Sequence, residues 1–182
     1  MVGDGSVTTS TSWVRASEEV FYCLPESQFI DSAAVSCIKD LARHSRRGRA
    51  RVCLHTSPDL LLHHMLIVHP KDAYVRPHSH PLRDETFQIL EGRATLFLFN
   101  SKGEIKLAQP MGEPGTDRPF VTLIPKGQFH TIQIETDQLV FLESTTGPFH
   151  SDGSVEAEWS PASTLVIEGR RYVESLTGNV NE

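Results

Sequence analysis

The sequence predicts an all-β sandwich or barrel, and three observations support this fold class. From residue 51 onward, short segments rich in β-branched and aromatic residues follow one another with turn signals between them. Asn100-Ser101-Lys102-Gly103 has the composition of a hairpin turn. The chain has 182 residues, enough for one core but hardly for two. The predicted strands cover residues 51–55, 64–69, 73–76, 85–91, 93–100, 104–109, 120–124, 130–135 and 138–145.

The segments on either side of the predicted strands have a different character. Apolar residues recur near helical spacing before residue 47, Asp31 is placed to cap the start, and Gly48 follows the basic end. A further short helix is predicted near residues 170–176. We therefore expect a flexible N-terminal tail (1–25), a helical N-terminal segment (26–50), the β-barrel (51–150) and a C-terminal extension (151–182).

Composition excludes several classes of function. The net charge is −6 and the pI is about 5.8, so the chain lacks the basic surface that nucleic-acid binding needs. No apolar run approaches the length of a membrane span, so neither a membrane nor a nucleic acid is an expected partner. Cys23, Cys37 and Cys53 are odd in number and form no CxxC pair, which favours a reducing, cytoplasmic setting.

Three histidines and one glutamate are arranged as metal ligands. His78 and His80 are two apart, so on a strand both imidazoles face the same side. Glu85 begins the next strong strand, and a Pro125–Gly127 turn delivers His130 at the opening of a later one. Imidazole nitrogens with one carboxylate oxygen suit a first-row divalent ion, and four ligands leave positions of a six-coordinate ion open. With zinc, the same four ligands could instead close a tetrahedral site.

These residues resemble the two motifs of the cupin superfamily. His78, His80, Glu85 and Gly92 match the first motif, and Pro125, Gly127 and His130 match the second. The chain departs from the motifs at three positions, none of which is a ligand in the family: Asp72, Pro119 and Ile134. The run from Tyr74 to Pro81 and the later Glu143, Gly147-Pro148-Phe149 and Trp159-Ser160-Pro161 are similar to the WbuC-type cupin fold metalloproteins.

The resemblance implies a fold, a cofactor and a setting. The fold would be a double-stranded β-helix, or jelly-roll barrel, holding one divalent metal ion (Fe, Mn, Zn, Ni or Co). A small-molecule ligand is expected, and the link of the WbuC-type proteins to surface-polysaccharide biosynthesis implies a sugar or nucleotide-sugar substrate. Cupins commonly form homodimers, and the apolar side chains of Leu60–Leu62 and Phe120 are candidates for such a contact.

Further residues are candidates for the site or for the cavity lining. Tyr74 and Arg76 share strand parity with His78, so Tyr74 is a candidate proton donor and Arg76 a candidate substrate-binding residue; packing and pairing on the rim are the alternatives. Glu143, inside an apolar strand, is a candidate general base or partner of a ligand histidine, or else an outward-facing residue. The expected apolar lining is Phe87, Ile89, Ile132 and Ile134. The Arg-rich stretch 43–51 is expected to be a solvated face, with phosphate binding as the alternative.

Three functions fit this site. The leading hypothesis is a metal-dependent isomerase or epimerase acting on a small sugar or nucleotide sugar, with Tyr74 or Glu143 moving the proton. The second is an iron-dependent dioxygenase, which requires oxygen. The third is a non-catalytic protein that binds a sugar or small acid. A cupin-type fold alone does not distinguish them.

Overall fold

A computed structural model describes residues 13–26, 28–149 and 153–178, and it confirms the all-β fold class. Twelve strands and two helices are present in this part of the chain. They are β1 (Trp13–Arg15), β2 (Val20–Cys23), α1 (Ser32–His44), β3 (Ala50–Cys53), β4 (Leu62–Pro70), β5 (His78–Ser79), β6 (Glu85–Glu91), β7 (Arg93–Phe99), β8 (Ile105–Gly112), β9 (Val121–Ile124), β10 (Phe129–Ile134), β11 (Gln138–Thr146), β12 (Val155–Glu156) and α2 (Val166–Gly178).

The strands form two sheets that face each other as a jelly roll. The larger sheet has the order β1-β2-β3-β4-β11-β6-β9 and the smaller one the order β12-β5-β10-β7-β8. Every pairing is antiparallel except that of β2 with β3. Consecutive strands such as β4, β5 and β6 alternate between the sheets, so residues close in sequence approach the space between the sheets from both sides.

Apolar side chains pack in three layers because both helices cover outer faces of the sheets. Between the sheets lies the main core, which contains the four predicted lining residues Phe87, Ile89, Ile132 and Ile134. A second layer joins α1, through Ile38 and Ala42, to the outer face of the larger sheet. In the third layer the smaller sheet packs against Leu176 of α2 and against Trp159. The helices thus cover the barrel from outside and leave the space between the sheets open for a site.

The N-terminal helix begins where its cap predicts. The Asp31 carboxylate accepts a hydrogen bond from the Ala34 N–H at 2.8 Å, which satisfies a backbone donor that the first turn leaves free. Arg43 and His44 lie in the last turn, and Gly48 has a φ of +68° in the turn that leads into β3. The residue that caps the N-terminus of α1 was therefore predicted correctly.

Four features differ from the sequence expectations. Residues 13–23, expected within a flexible tail, form β1 and β2, because β2 hydrogen-bonds to β3 in the larger sheet; the expected tail over residues 1–12 lies outside the described residues. The strand expected at 73–76 is absent from the structure, and the chain there is irregular up to β5. The short strands β5 and β12 were not predicted. The second helix extends the expected 170–176 segment at both ends.

The described helices include none that is long and apolar enough to cross a membrane. The side chains expected at a dimer contact are exposed: 43% for Leu60, 77% for Leu61, 65% for Leu62 and 39% for Phe120. Burying an apolar surface of this kind is favourable by about 25 cal/mol per Å².

We predict that two copies associate through the exposed side chains of Leu60, Leu61 and Leu62. Replacing Leu61 and Leu62 with Ser should shift the sedimentation of the purified protein from dimer to monomer, because it removes apolar area from the contact. Replacing the equally apolar and exposed Ile167, on α2, should leave the dimer unchanged. A wild-type chain that sediments as a monomer at all working concentrations would contradict the prediction.

Candidate metal centre

The four predicted ligands come from three separate stretches of chain that the fold brings together. His78 lies on β5 and His80 directly follows it, Glu85 is the first residue of β6, and His130 lies on β10. Because β5 and β10 are antiparallel neighbours, His130 is the direct partner of His78 across the smaller sheet. Glu85 reaches the same point from the larger sheet.

The turn between β9 and β10 ties the two histidine segments to each other. Gly127 has a φ of +75°, a backbone conformation that favours glycine, and its N–H donates to the His80 carbonyl at 2.8 Å. The neighbouring Lys126 N–H donates to the Asp84 carboxylate at 2.8 Å. The glycine of the second motif therefore has a physical role, since it lets the turn dock on the first motif and fixes His130 beside His80.

The glycine that ends β6 is required by close packing. Gly92 has a φ of +93°, and a Cβ there would lie 2.5 Å from Thr136 Oγ1 and 2.7 Å from the Gln138 carbonyl oxygen. A side chain at this position would push β6 away from the segment that begins β11. Since β6 carries Glu85, Gly92 helps to set the position of the carboxylate.

The donor atoms of the three imidazoles are close enough to bind one ion. One ring nitrogen from each of His78, His80 and His130 lies within 4.8 Å of the others. The Glu85 carboxylate lies against two of these rings, with Oε2 3.0 Å from His80 Nε2 and Oε1 3.7 Å from His130 Nε2. A nitrogen lone pair and a carboxylate oxygen 3.0 Å apart repel each other unless a proton or a cation lies between them.

Hydrogen bonds at the opposite ring nitrogens orient all three imidazoles. His78 Nδ1 lies 2.9 Å from the Arg76 carbonyl and His130 Nδ1 lies 3.0 Å from the Gln128 carbonyl, in each case two residues earlier in the chain. His80 Nδ1 lies 3.3 Å from the Gly153 carbonyl and 3.0 Å from Ser154 Oγ. A carbonyl only accepts, so each Nδ1 carries the proton and each neutral ring presents the Nε2 lone pair. This is the usual arrangement of metal-binding histidines.

Burial keeps His78 and His130 neutral. It lowers the pKa of His78 to about 4, with the neighbouring His130 adding to the effect, and it also lowers the pKa of His130. Burial alone would raise the pKa of Glu85, but its close contact with His80 and the nearby imidazoles hold that pKa below its ordinary value. Neutral imidazoles beside an ionised carboxylate are the protonation states that a divalent cation requires.

Two cavities meet at this cluster. One has a volume of about 530 Å³ and contacts His130, and the other has about 230 Å³ and contacts His80. Both are lined by His78, Glu85, Arg51 and Glu143. An ion held by the histidines would therefore be reached from a space large enough for a small molecule, as a working site requires. The group of three histidines could hold a metal ion, and the fourth candidate ligand is in contact with it.

Glu143 lies on the cavity wall, as one reading of the sequence expected. It pairs with Phe87 on one side and with Met65 on the other, in the middle of β11. Burial, together with the negative charge of Glu85, raises the pKa of Glu143 to about 8, and the positive charge of Arg51 opposes the shift. The carboxyl group thus keeps its proton at neutral pH, on cavity walls that it shares with His78 and Glu85.

Tyr74 and Arg76 do not join the site, contrary to the parity argument. The Tyr74 hydroxyl donates to the Pro161 carbonyl at 2.7 Å, and Arg76 pairs with Glu156 and donates to the Ala157 carbonyl at 2.8 Å. The chain before β5 is not a strand, so alternation along it does not predict which way side chains point. Both residues fasten the C-terminal segment, and neither lines either cavity.

The sequence reasoning missed other residues on the cavity walls. Arg51 is exposed, as expected, yet it lies on the same side of β3 as the core residue Cys53 and lines both cavities. His55 and His63 stack with ring centroids 4.1 Å apart in the smaller cavity, and burial lowers the pKa of His55 to about 4. Arg51 and Cys53 are two residues apart and so lie on the same face of β3. This spacing would have predicted the position of Arg51 only if the face of β3 that meets the core had been known.

A family model described as "Domain of unknown function (DUF6016)" matches residues 30–111, somewhat less than half of the chain. The matched region contains His78, His80 and Glu85 and ends before His130. No curated protein matches the sequence significantly.

Solved structures with the same fold are distant in sequence. The capsular polysaccharide assembling protein CapF from Staphylococcus aureus is 18% identical with a TM-score of 0.50, over 59% of this chain and 29% of CapF. Oxalate decarboxylase from Bacillus subtilis is 20% identical with a TM-score of 0.47, over 59% of this chain and 27% of that chain. The chain thus spans less than a third of either protein. The likeness to CapF supports a cupin-type jelly-roll fold and nothing finer.

Replacing Tyr74 with Phe should lower stability by about 1 kcal/mol, because it removes one hydrogen bond to Pro161. Metal affinity should be unchanged, because Arg76 still holds the same C-terminal segment at Ala157. Urea unfolding and a metal titration measure the two effects. A variant of unchanged stability that binds metal more weakly would contradict the structural role of Tyr74.

The pH dependence of stability should report on Glu143. In the unfolded chain the carboxyl ionises near its ordinary pKa of 4.5, whereas in the fold its pKa is about 8, so the unfolded state loses its proton first as pH rises. The stabilisation from the neutral carboxyl is therefore complete below pH 4.5 and disappears by about pH 8. In chelator-treated protein, the melting temperature of Glu143→Gln should rise relative to wild type across this range and then level off. A constant difference between the two proteins would contradict the assignment.

Proposed function

We propose that the chain is a metal-dependent enzyme that isomerises or epimerises a small sugar-like substrate. The observation that carries the proposal is that the oriented histidines lie where the two cavities meet, beside a carboxyl group that holds a proton at neutral pH. Structural metal sites are usually closed by protein ligands, whereas this cluster adjoins open space.

His78, His80, Glu85 and His130 would hold one divalent ion. The donor set fits, since the three Nε2 lone pairs and a carboxylate oxygen suit several first-row ions, among them Fe, Mn, Zn, Ni and Co. When bound, such an ion supplies Lewis-acid polarisation of a carbonyl or hydroxyl oxygen of the substrate.

The remaining work would fall to residues of the chain. Glu143 lines the cavity, and with a pKa of about 8 roughly a tenth of its carboxyl groups are ionised at pH 7. The ionised form would take a proton from the carbon next to the polarised oxygen, and the protonated form that results would return it to that carbon or its neighbour. Tyr74, the other proton carrier considered from the sequence, is engaged with Pro161 and is not proposed for this role. The apolar walls, among them Phe87 and Ile132, limit the water that reaches the substrate.

A sugar-like substrate is proposed because of the WbuC-type resemblance. The CapF description as a capsular polysaccharide assembling protein is compatible with it, although the shared fold does not specify a substrate. The proposed substrate is either a nucleotide sugar or a free sugar. A cytoplasmic setting is part of it as well, since the cysteines are unpaired.

Metal analysis of protein purified without chelator and without oxygen tests the ligand set. We expect about one divalent ion per chain in the wild type and in His44→Ala, an exposed histidine of α1. His78→Ala and His130→Ala should each lose the ion, with affinity falling further than the roughly 10- to 100-fold typical of losing an outer partner of a ligand. Equal metal content in all four proteins would refute the site.

Deuterium exchange tests the reaction. Metal-loaded protein is incubated in D₂O with reducing sugars, uronic acids and sugar phosphates, and proton NMR detects deuterium at the carbon next to the carbonyl. We expect exchange by the wild type and by Arg171→Gln, and at least a roughly hundredfold slower exchange by Glu143→Gln with its metal retained. Oxygen uptake without exchange would favour the dioxygenase, and ligand binding with neither would favour a binding protein; both contradict the proposal.

A further inference from the structure

We propose that Arg51 binds an oxyanion of the substrate, a carboxylate or a phosphate, so that the substrate is an anionic small molecule. The inference rests on the proposed function, because it concerns the substrate class of the same site. It starts from the position of Arg51 on both cavity walls, beside His78, Glu85 and Glu143.

The guanidinium of Arg51 is left unpaired by the described part of the chain. Within residues 13–26, 28–149 and 153–178 it forms no ion pair or side-chain hydrogen bond, whereas Arg47 and Arg49 both pair with Glu19. Glu85 and Glu143 line the same two cavities as Arg51, and among the described residues neither carboxyl forms an ion pair with its guanidinium. A planar fork of donors facing a cavity without a carboxylate partner is suited to bind a carboxylate or phosphate from the solvent.

The rim of the larger cavity carries an excess of positive charge, the same sign as Arg51. Arg46, Arg47 and Arg49 line it together with Glu18 and Glu19, so with Arg51 four arginines face two rim glutamates. The chain as a whole has a net charge of −6, which makes this positive region a local exception. Because arginines outnumber glutamates at this rim, the entrance favours ligands of negative charge.

The walls also account for the size and the second contact of the ligand. A volume of about 530 Å³ accommodates a sugar acid or a sugar phosphate. Because Arg51 and the histidine cluster line the same space, an oxyanion on Arg51 would leave the opposite end of the molecule to face Glu143 and the ligand residues. Arg51 would thus act as an orienting residue that also selects for charge.

Calorimetric titration of metal-loaded protein tests the inference with glucuronate, glucose 6-phosphate and glucose as probes. The wild type should bind at least one of the two anions about tenfold more tightly than glucose, and which anion binds distinguishes a carboxylate from a phosphate. Arg51→Gln should lose that preference by about tenfold or more, and Arg51→Lys should lose part of it because a point charge replaces the fork.

Two controls separate this inference from the metal site. Arg171→Gln removes an exposed arginine on α2 and should bind like the wild type. Metal content is measured in parallel: Arg51→Gln should keep its ion, since Arg51 is not one of the ligands. Unchanged anion binding in Arg51→Gln, or no preference of the metal-loaded wild type for either anion, would overturn the role of Arg51. Absence of the metal in the wild type would instead overturn the proposed function.

Discussion

The site depends on the hydrogen bonds that turn three imidazoles so that each bare Nε2 faces one point. His78 and His130 obtain this bond from a carbonyl two residues earlier, so each carries its own orienting partner on its strand segment. His80 obtains it from Gly153 and Ser154, far along the chain. The orientation of the three rings therefore depends on the barrel strands and also on the segment that follows them.

The same dependence explains why residues of the C-terminal segment are so firmly attached. Tyr74 and Arg76 hold it at Pro161 and Ala157, and Trp159 packs against Phe99 and Phe129 of the smaller sheet. These contacts keep β12 beside β5, directly next to the histidines. Residues that looked like members of the site thus support it from outside.

The sequence predicted those helices and strands whose hydrophobic pattern and bounding residues point to the same structure. The helix cap at Asp31, the strands from β6 to β11 and the glycines of the two motifs each follow from a few neighbouring residues, and the structure shows the contact that each one serves. The strands β1, β2, β5 and β12 could not be predicted in this way, because they are two to four residues long and exist through pairing with distant partners. The predicted orientation of Tyr74 was wrong because its segment is not a strand and its side chains do not alternate regularly.

The site was predictable to the extent that spacing alone decides it. The pair His78 and His80, the nearby Glu85 and the turn before His130 are all visible in sequence. The position of Arg51 on the cavity wall could not be predicted, because an arginine in an Arg-rich stretch is usually solvated. It follows only from the pairing of β3 with β4. From the sequence, Glu143 could have faced either the cavity or the solvent. The register of β11 with β4 and β6 places it inward.

Anomalous X-ray scattering from crystals of the metal-loaded protein, collected on both sides of the absorption edge, tests the central claim most directly. The account predicts one strong peak bounded by Nε2 of His78, His80 and His130, with a Glu85 oxygen beside it. A map without a peak there, or with the peak at another group of side chains, would contradict the account.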